Sequence, residues 1–224
     1  MNSCIKFTMS SASNGIARLP QRQNAPPVYD PVHPAPNAVS RSWWRAAAGV
    51  PLVLGGSALM GLGVLASFVP GGGVLFQAGV STMMYGGYSI AQLWCADIRE
   101  DMNDIGWNMF NSNQDAVLNS RKVSFYRGVP VVRQNLGNFS FGVIGLCESL
   151  RHDPIELQRY VLSHEFGHNI QLMILGPLFF TGIIAIPSLI SAGFWTESHE
   201  NLWFERWADQ MYRRFVNRNH RRPL

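Results

Sequence analysis

The clearest pattern along the chain is the absence of charge over long stretches. Residues 46–96 contain no Asp, Glu, Lys, Arg or His, and a second charge-free run covers 169–196. A bilayer core about 30 Å thick is crossed by about 20 helical residues. The first run divides at Pro70-Gly71-Gly72-Gly73 into 46–69 and 74–95, each long enough to span. An apolar helical hairpin over 46–96, acting as a membrane anchor, is therefore expected. Small residues four apart, Ser57/Gly61, Gly63/Ser67 and Thr82/Gly86, are the expected contact points between its helices. Trp43 and Trp44, with Arg41 and Arg45, suit the membrane–water boundary. The alternative is a glycine-rich hairpin buried in a globular protein, because Gln77, Ser81, Thr82, Tyr85, Tyr88 and Gln92 dilute the second helix.

Residues 1–45 are rich in proline and lack apolar periodicity, so a disordered tail is expected there. The opening MNSCIKFTMSSASNG has no apolar core of a cleavable secretory signal. From 97 to 224 the pattern predicts one α+β domain. A polar helix and loop occupy 97–119. The stretch KVSFYRGVPVVR (122–133) is rich in β-branched and aromatic residues around Gly128, which predicts a β-hairpin, and 138–146 reads as a further strand. Asp153, Pro154 and Glu156 mark a helix start, with apolar positions continuing to Met173. A second amphipathic helix is expected over 199–215.

Charged residues make up only 14% of the chain, against about a quarter in a typical soluble domain, which excludes overall disorder and points to membrane contact or an unusually apolar protein. The net charge of +4 is carried largely by arginines near the two ends. No aromatic residues interleave with them in a nucleic-acid-binding motif, so no nucleic-acid partner is expected. Arg18, Arg22, Arg41 and Arg45 bias the entry side of the hairpin towards the cytoplasm, and a two-helix hairpin returns the following domain to that side. The 3 cysteines are far apart, without CxxC, and supply no cysteine zinc site.

Within the predicted helix stands His164-Glu165-Phe166-Gly167-His168, an HExxH motif. Residues i and i+4 lie one turn apart on the same helical face, so both imidazoles can aim at one Zn2+ ion, while Glu165 reaches a water beside it. Zinc in catalytic sites takes three protein ligands and keeps a fourth position open. The pattern with a third His is excluded, since Gln171 and Ile174 stand where Gly and His would be needed. Downstream, Glu205-Arg206-Trp207-Ala208-Asp209 forms ExxAD. Glu205 is the expected third ligand, Asp209 the residue that orients a ligand histidine, and Ala208 permits close helix packing. His152, His199 and Glu200 fit a ligand role less well. A single membrane crossing by 169–196 would put His168 and Glu205 on opposite sides of the bilayer core, whereas both must lie about 2 Å from one zinc ion. That run is therefore expected to break at Pro177 and Pro187 and fold back.

HEFGH followed by ERWAD resembles the gluzincin class of zinc metallopeptidases. A more particular similarity runs from about Asn103 to Phe215: Trp107, Val117-Leu118-Asn119-Ser120, Ser124-Phe125-Tyr126-Arg127-Gly128, Ser140-Phe141-Gly142, then HEFGHNIQ, LG, IPSL and ERWAD. These resemble a zincin-like domain found at the end of bacterial polymorphic (Rhs-type) toxins and in membrane-associated bacterial proteins. Phe204 stands directly before Glu205 where that pattern carries Trp, and Trp203 is displaced by one. The resemblance implies hydrolysis of a peptide or protein substrate, with a toxin or effector role; any immunity or inhibitor protein is left unidentified. Glu165 is the expected general base, the 140–144 segment (Ser140, Gly142) the substrate edge, and His199 or Tyr212 an oxyanion donor. The rival expectation is a non-enzymatic membrane-inserting protein with a degenerate or structural metal site.

Overall fold

In the computed structural model, residues 37–69, 71–194 and 201–216 are described. Helix α1 (Asn37–Leu65) begins ahead of the charge-free run, so residues 37–45, expected as tail, are helical; 1–36 lie outside the described residues. Gly71, at φ 95°, supplies the left-handed residue that leads into α2 (Gly72–Ala91).

The two helices touch through glycines seven residues apart, Gly49, Gly56 and Gly63 on α1 and Gly79 and Gly86 on α2, and Gly72 continues the row against Ala66 in the turn between them. A Cβ at Gly56 would lie 2.4 Å from the Met83 nitrogen and 2.7 Å from the Gly79 oxygen, and one at Gly63 would lie 2.3 Å from the Phe76 nitrogen. A seven-residue period keeps such a stripe facing one partner. This corrects the four-residue pairing: Gly63, Ser67 and Gly86 are buried, but Ser57 is exposed and a Cβ at Gly61 would meet nothing within 4 Å.

The other side of α2 packs into the rest of the protein. Phe76 and Val80 cluster with Leu172, Phe180, Ile184 and Phe204, while Tyr85 and Tyr88 cluster with Met102, Val123 and Phe125. The polar residues of α2 face this interior. Gln77 Nε2 donates to the Gly142 carbonyl at 2.8 Å, and the Tyr85 hydroxyl donates to the Gly106 carbonyl. One side of the second half of the expected anchor is thus packed against described residues that follow it, from Met102 to Phe204. Among the described residues, two segments are long and apolar enough to cross a membrane, Trp43–Leu65 and Ile155–Ser191, and α2 is not among them.

After α3 (Ala96–Ile105) and the short α4 (Gln114–Leu118), strands β1 (Val123–Tyr126) and β2 (Val129–Gln134) form the expected hairpin. Arg127 and Gly128, at φ 51° and 86°, make its two-residue turn. The single strand expected over 138–146 is two, β3 (Phe139–Ser140) and β4 (Ile144–Cys147), because the chain reverses at Gly142, φ 72°. Strand order is β1-β2-β4-β3, with β4 parallel to β2 and antiparallel to β3. One face of this small mixed sheet packs through Tyr126, Val129, Val131, Ile144 and Leu146 onto Leu162, Phe166 and Ile170 of α5 (Ile155–Phe180) and Met211 of α7 (Trp203–Val216). Val123 and Phe125 meet α2 and α3 on the other face. The architecture is mostly helical α+β.

Pro154, rather than Asp153, caps α5. The helix loses its geometry at Gly176 (φ 76°, ψ 159°), directly before Pro177. A π-helical turn (Thr181–Ala185) and α6 (Ile186–Phe194) then bring Ser188 against Glu205 of α7. Residues 169–194 therefore bend back towards α7, as expected for that run.

The seven-residue stripe is tested by substitution. Overpacking a tight contact costs about 1–3 kcal/mol, and each kcal/mol shifts Tm by about 2–4 °C at this size. Gly79→Val should lower Tm by at least about 2 °C in thermal melts, whereas Gly61→Ala should leave it unchanged or raised.

Candidate metal centre

The motif helix and α7 meet at their smallest residues. A Cβ at Gly167 would lie 2.2 Å from the Ala208 carbonyl oxygen and 2.6 Å from its carbon. The backbones are thus in van der Waals contact, which only glycine at 167 allows. This approach sets Glu205, three residues before Ala208, over the two histidines. His164 Nε2 lies 3.1 Å and His168 Nε2 2.9 Å from Glu205 Oε2. The rings stand perpendicular, with centroids 4.8 Å apart. One donor atom from each of His164, His168 and Glu205 falls within 4.8 Å of the others.

Outer contacts orient all three. Asp209 Oδ1 accepts from His164 Nδ1 at 3.0 Å, which leaves the Nε2 lone pair for the centre. Tyr160 donates its hydroxyl to the other Asp209 oxygen at 3.4 Å. Gln171 Oε1 lies 2.7 Å from His168 Nδ1. Ser188 Oγ donates to Glu205 Oε1 at 2.7 Å, so the apolar segment after the kink supplies one polar contact to the site. Gln171 and Ser188 were not foreseen as site residues. Gln171 lies three positions beyond His168, on the same helical face, and so was detectable in principle. Ser188 reaches Glu205 only through the fold-back.

The charges are held tightly. Burial alone would lower the His164 pKa, but hydrogen bonds to Asp209 and Glu205 outweigh it and raise the imidazole to about 10. Burial pushes Glu205 up, yet its bonds from His164 and His168 prevail and hold it well below the usual carboxylate range. Burial pushes Glu165 up, against the attraction of both histidines. Glu205 is 2% exposed, whereas the His164 side chain at 20% marks the open side of the centre.

The donor set fits zinc. Two imidazole nitrogens and one carboxylate oxygen are the ligands of known catalytic zinc sites, and ligands about 2.0–2.1 Å from a tetrahedral ion stand about 3.4 Å apart. The two nitrogen–oxygen separations here are shorter by a few tenths of an ångström. With Nδ1 of His164 engaged by Asp209, the lone pair of its neutral ring would face a carboxylate oxygen. That arrangement requires a cation between the donors, either protons or a metal ion.

Other expected site residues lie elsewhere. The Tyr212 hydroxyl meets Tyr126 at 3.2 Å and Gln114 at 3.1 Å, a polar cluster that does not include the centre. The Gly142 carbonyl is taken by Gln77, so it faces α2 rather than a substrate. Ser140 ends the edge strand β3 and accepts a hydrogen bond from Asn169 of the motif helix, tying that edge to the helix. His152 is exposed, and His199 and Glu200 lie outside the described residues.

Comparison with protein families, with curated proteins and with solved structures returns no match for this chain. Its site therefore stands on its own geometry.

If the Gly167–Ala208 contact places Glu205, widening it must weaken metal binding. Gly167→Ala should raise the zinc Kd at least about tenfold, the scale of losing ligand support. Gly87→Ala, where a Cβ meets nothing within 4 Å, should leave it unchanged. Competition with a chromophoric chelator measures both.

Proposed function

We propose that the chain is a zinc-dependent peptide hydrolase of gluzincin type that works at a membrane surface. The observation that carries this reading is the convergence of two imidazoles and one carboxylate, from separate helices, on a point beside Glu205 Oε2. His164, His168 and Glu205 would hold the ion. Bound there, zinc supplies Lewis acidity for a scissile carbonyl and lowers the pKa of an attacking water to about 7.

The chain's own residues supply the rest. Glu165 directly follows the first ligand on the helix, and its carboxylate makes no hydrogen bond to another side chain among the described residues. It is free to take the proton of the attacking water and return it to the leaving amine. Burial raises its proton affinity, which suits a group that must both accept and release a proton near neutral pH. Asp209 keeps His164 oriented, and Ser188 holds the second oxygen of Glu205. The edge strand β3, linked to the motif helix through Asn169 and Ser140, offers backbone for an extended peptide. An effector or toxin role follows from the resemblance of the motifs.

Membrane association rests on an apolar surface drawn from two parts of the chain. Leu65, Phe68 and Val69 at the end of the hairpin are exposed, as are Leu178, Phe179 and Leu189 after the kink. Phe68 and Phe179 touch edge to face, with centroids 5.5 Å apart, so these surfaces adjoin. Both lie within charge-free runs, and a surface without charge suits lipid rather than water. Because α2 is occupied by the sheet, shallow insertion of this surface fits better than a two-helix crossing. The cytoplasmic orientation rests partly on Arg18 and Arg22, which lie outside the described residues.

Removing the general base should separate chemistry from metal binding. Glu165→Gln should lower peptide hydrolysis by about 10²–10⁴-fold, the usual contribution of such a group, while keeping stoichiometric zinc. His164→Ala should lose both. Undiminished biological activity of Glu165→Gln would favour the non-enzymatic membrane protein instead.

A further inference from the structure

We infer that Gln171 is a positioning residue that sets which ring nitrogen of His168 faces the metal and, through the same amide, anchors the backbone beside Glu205. The inference rests on reading the cluster as a metal site. Gln171 is wholly buried, so both ends of its amide need partners within the protein. One end lies 2.8 Å from the Phe204 carbonyl oxygen. A carbonyl only accepts, so that end is the NH2 group. The oxygen end then faces His168 Nδ1 at 2.7 Å. An amide oxygen also only accepts, so Nδ1 carries the proton. Nε2 is left with its lone pair aimed at the point shared with His164 Nε2 and Glu205 Oε2.

The two ligand rings are therefore oriented by groups of different charge. His164 uses the carboxylate of Asp209, whose side chain is 28% exposed at the open side. His168 lies deeper and uses a neutral amide. Glu165 and Glu205 already place two carboxyl groups in this interior. A third anion there would need further compensation, whereas the amide supplies direction without charge. The second half of the same amide holds the carbonyl of Phe204, the residue adjoining Glu205. One side chain thus fixes the second histidine relative to the helix that brings the third ligand.

The test is made on the full chain with zinc as the probe, using chelator competition and nitrogen-15 spectra of the histidine rings in the zinc-loaded protein. Gln171→Leu preserves bulk but removes the acceptor, and should weaken zinc binding by about 10–100-fold. Gln171→Glu retains an acceptor for the Nδ1 proton but loses the donor to the Phe204 carbonyl and adds a buried anion, and should recover only part of the affinity. In the wild type, His168 should bind zinc through Nε2 and keep a slowly exchanging proton on Nδ1. Binding by Gln171→Leu within about twofold of wild type would overturn the assignment, as would zinc coordinated through His168 Nδ1. Should Gln171→Leu fail to fold, the wild-type ring spectrum decides alone. A wild type without zinc affinity would remove the metal reading itself. Normal zinc binding without peptide hydrolysis would remove only the proposed activity.

Discussion

The contact on which the site depends is the approach of α7 to α5 at Gly167 and Ala208. Three ligands from one helix cannot surround an ion, because successive turns present only a single face to it. A third ligand must come from another helix, and how near that helix lies decides whether a side chain as short as Glu reaches. At Gly167 no side chain intervenes, and the Ala208 backbone occupies the space a Cβ would fill. Glu205 is one turn earlier on α7 and Asp209 directly follows Ala208, so a single close contact delivers both the ligand and the group that orients His164. Phe166 and Met211, beside these small residues, pack into the sheet and hold the two helices in that register.

Much of this was legible in short-range spacing. HExxH and ExxAD are local patterns, and their roles follow from the period of a helix. The β1–β2 hairpin was equally local, since Arg127-Gly128 carries its turn. Legibility failed where spacing met tertiary structure. Hydropathy treated Gln77, Tyr85 and Tyr88 as diluting a membrane helix, when they mark the side of α2 that faces protein. A window average sums over a helix without knowing which side each residue occupies. The seven-residue glycine spacing is present in the sequence, where it overlaps with small residues four apart that periodicity alone does not rank below it. Gly142 looked like a strand position and proved to be a reversal, because glycine in a strand run signals either a close neighbour or a bend. Here it is both, with the Phe76 and Val80 side chains against it.

The apolar runs acquire distinct roles in the fold. One side of α2 completes the interior, while α1 and the end of the hairpin remain largely uncovered. The run after HExxH does something similar in one continuous segment. Leu172 and Phe180 are buried, Leu178 and Leu189 are exposed, and Ser188 turns inward to Glu205. The segment that carries exposed apolar side chains therefore also touches the Glu205 carboxylate. Whatever covers its outer face bears on the same short element that holds Glu205, so that apolar face and the site geometry are mechanically adjacent.

Electrostatics explains why a site of this kind tolerates such an apolar setting. Desolvating Glu165, Glu205 and two histidines is costly when surrounding charge is sparse, and partial pairing leaves a net charge in low dielectric. Glu205 Oε2 lies against Nε2 of both imidazoles, and each ring directs its Nδ1 to an outer acceptor. Without a cation, those Nε2 lone pairs and the carboxylate would repel. Protons satisfy the arrangement by charging His164, where the hydrogen bonds to Asp209 and Glu205 outweigh the cost of burial. A divalent ion satisfies it with both rings neutral, and it gains the carboxylate as well. The cluster that could hold a cation is thus built from its outer contacts inward: Asp209 and Gln171 lie against the two Nδ1 atoms, and Gly167 sets how close the Glu205 carboxylate comes.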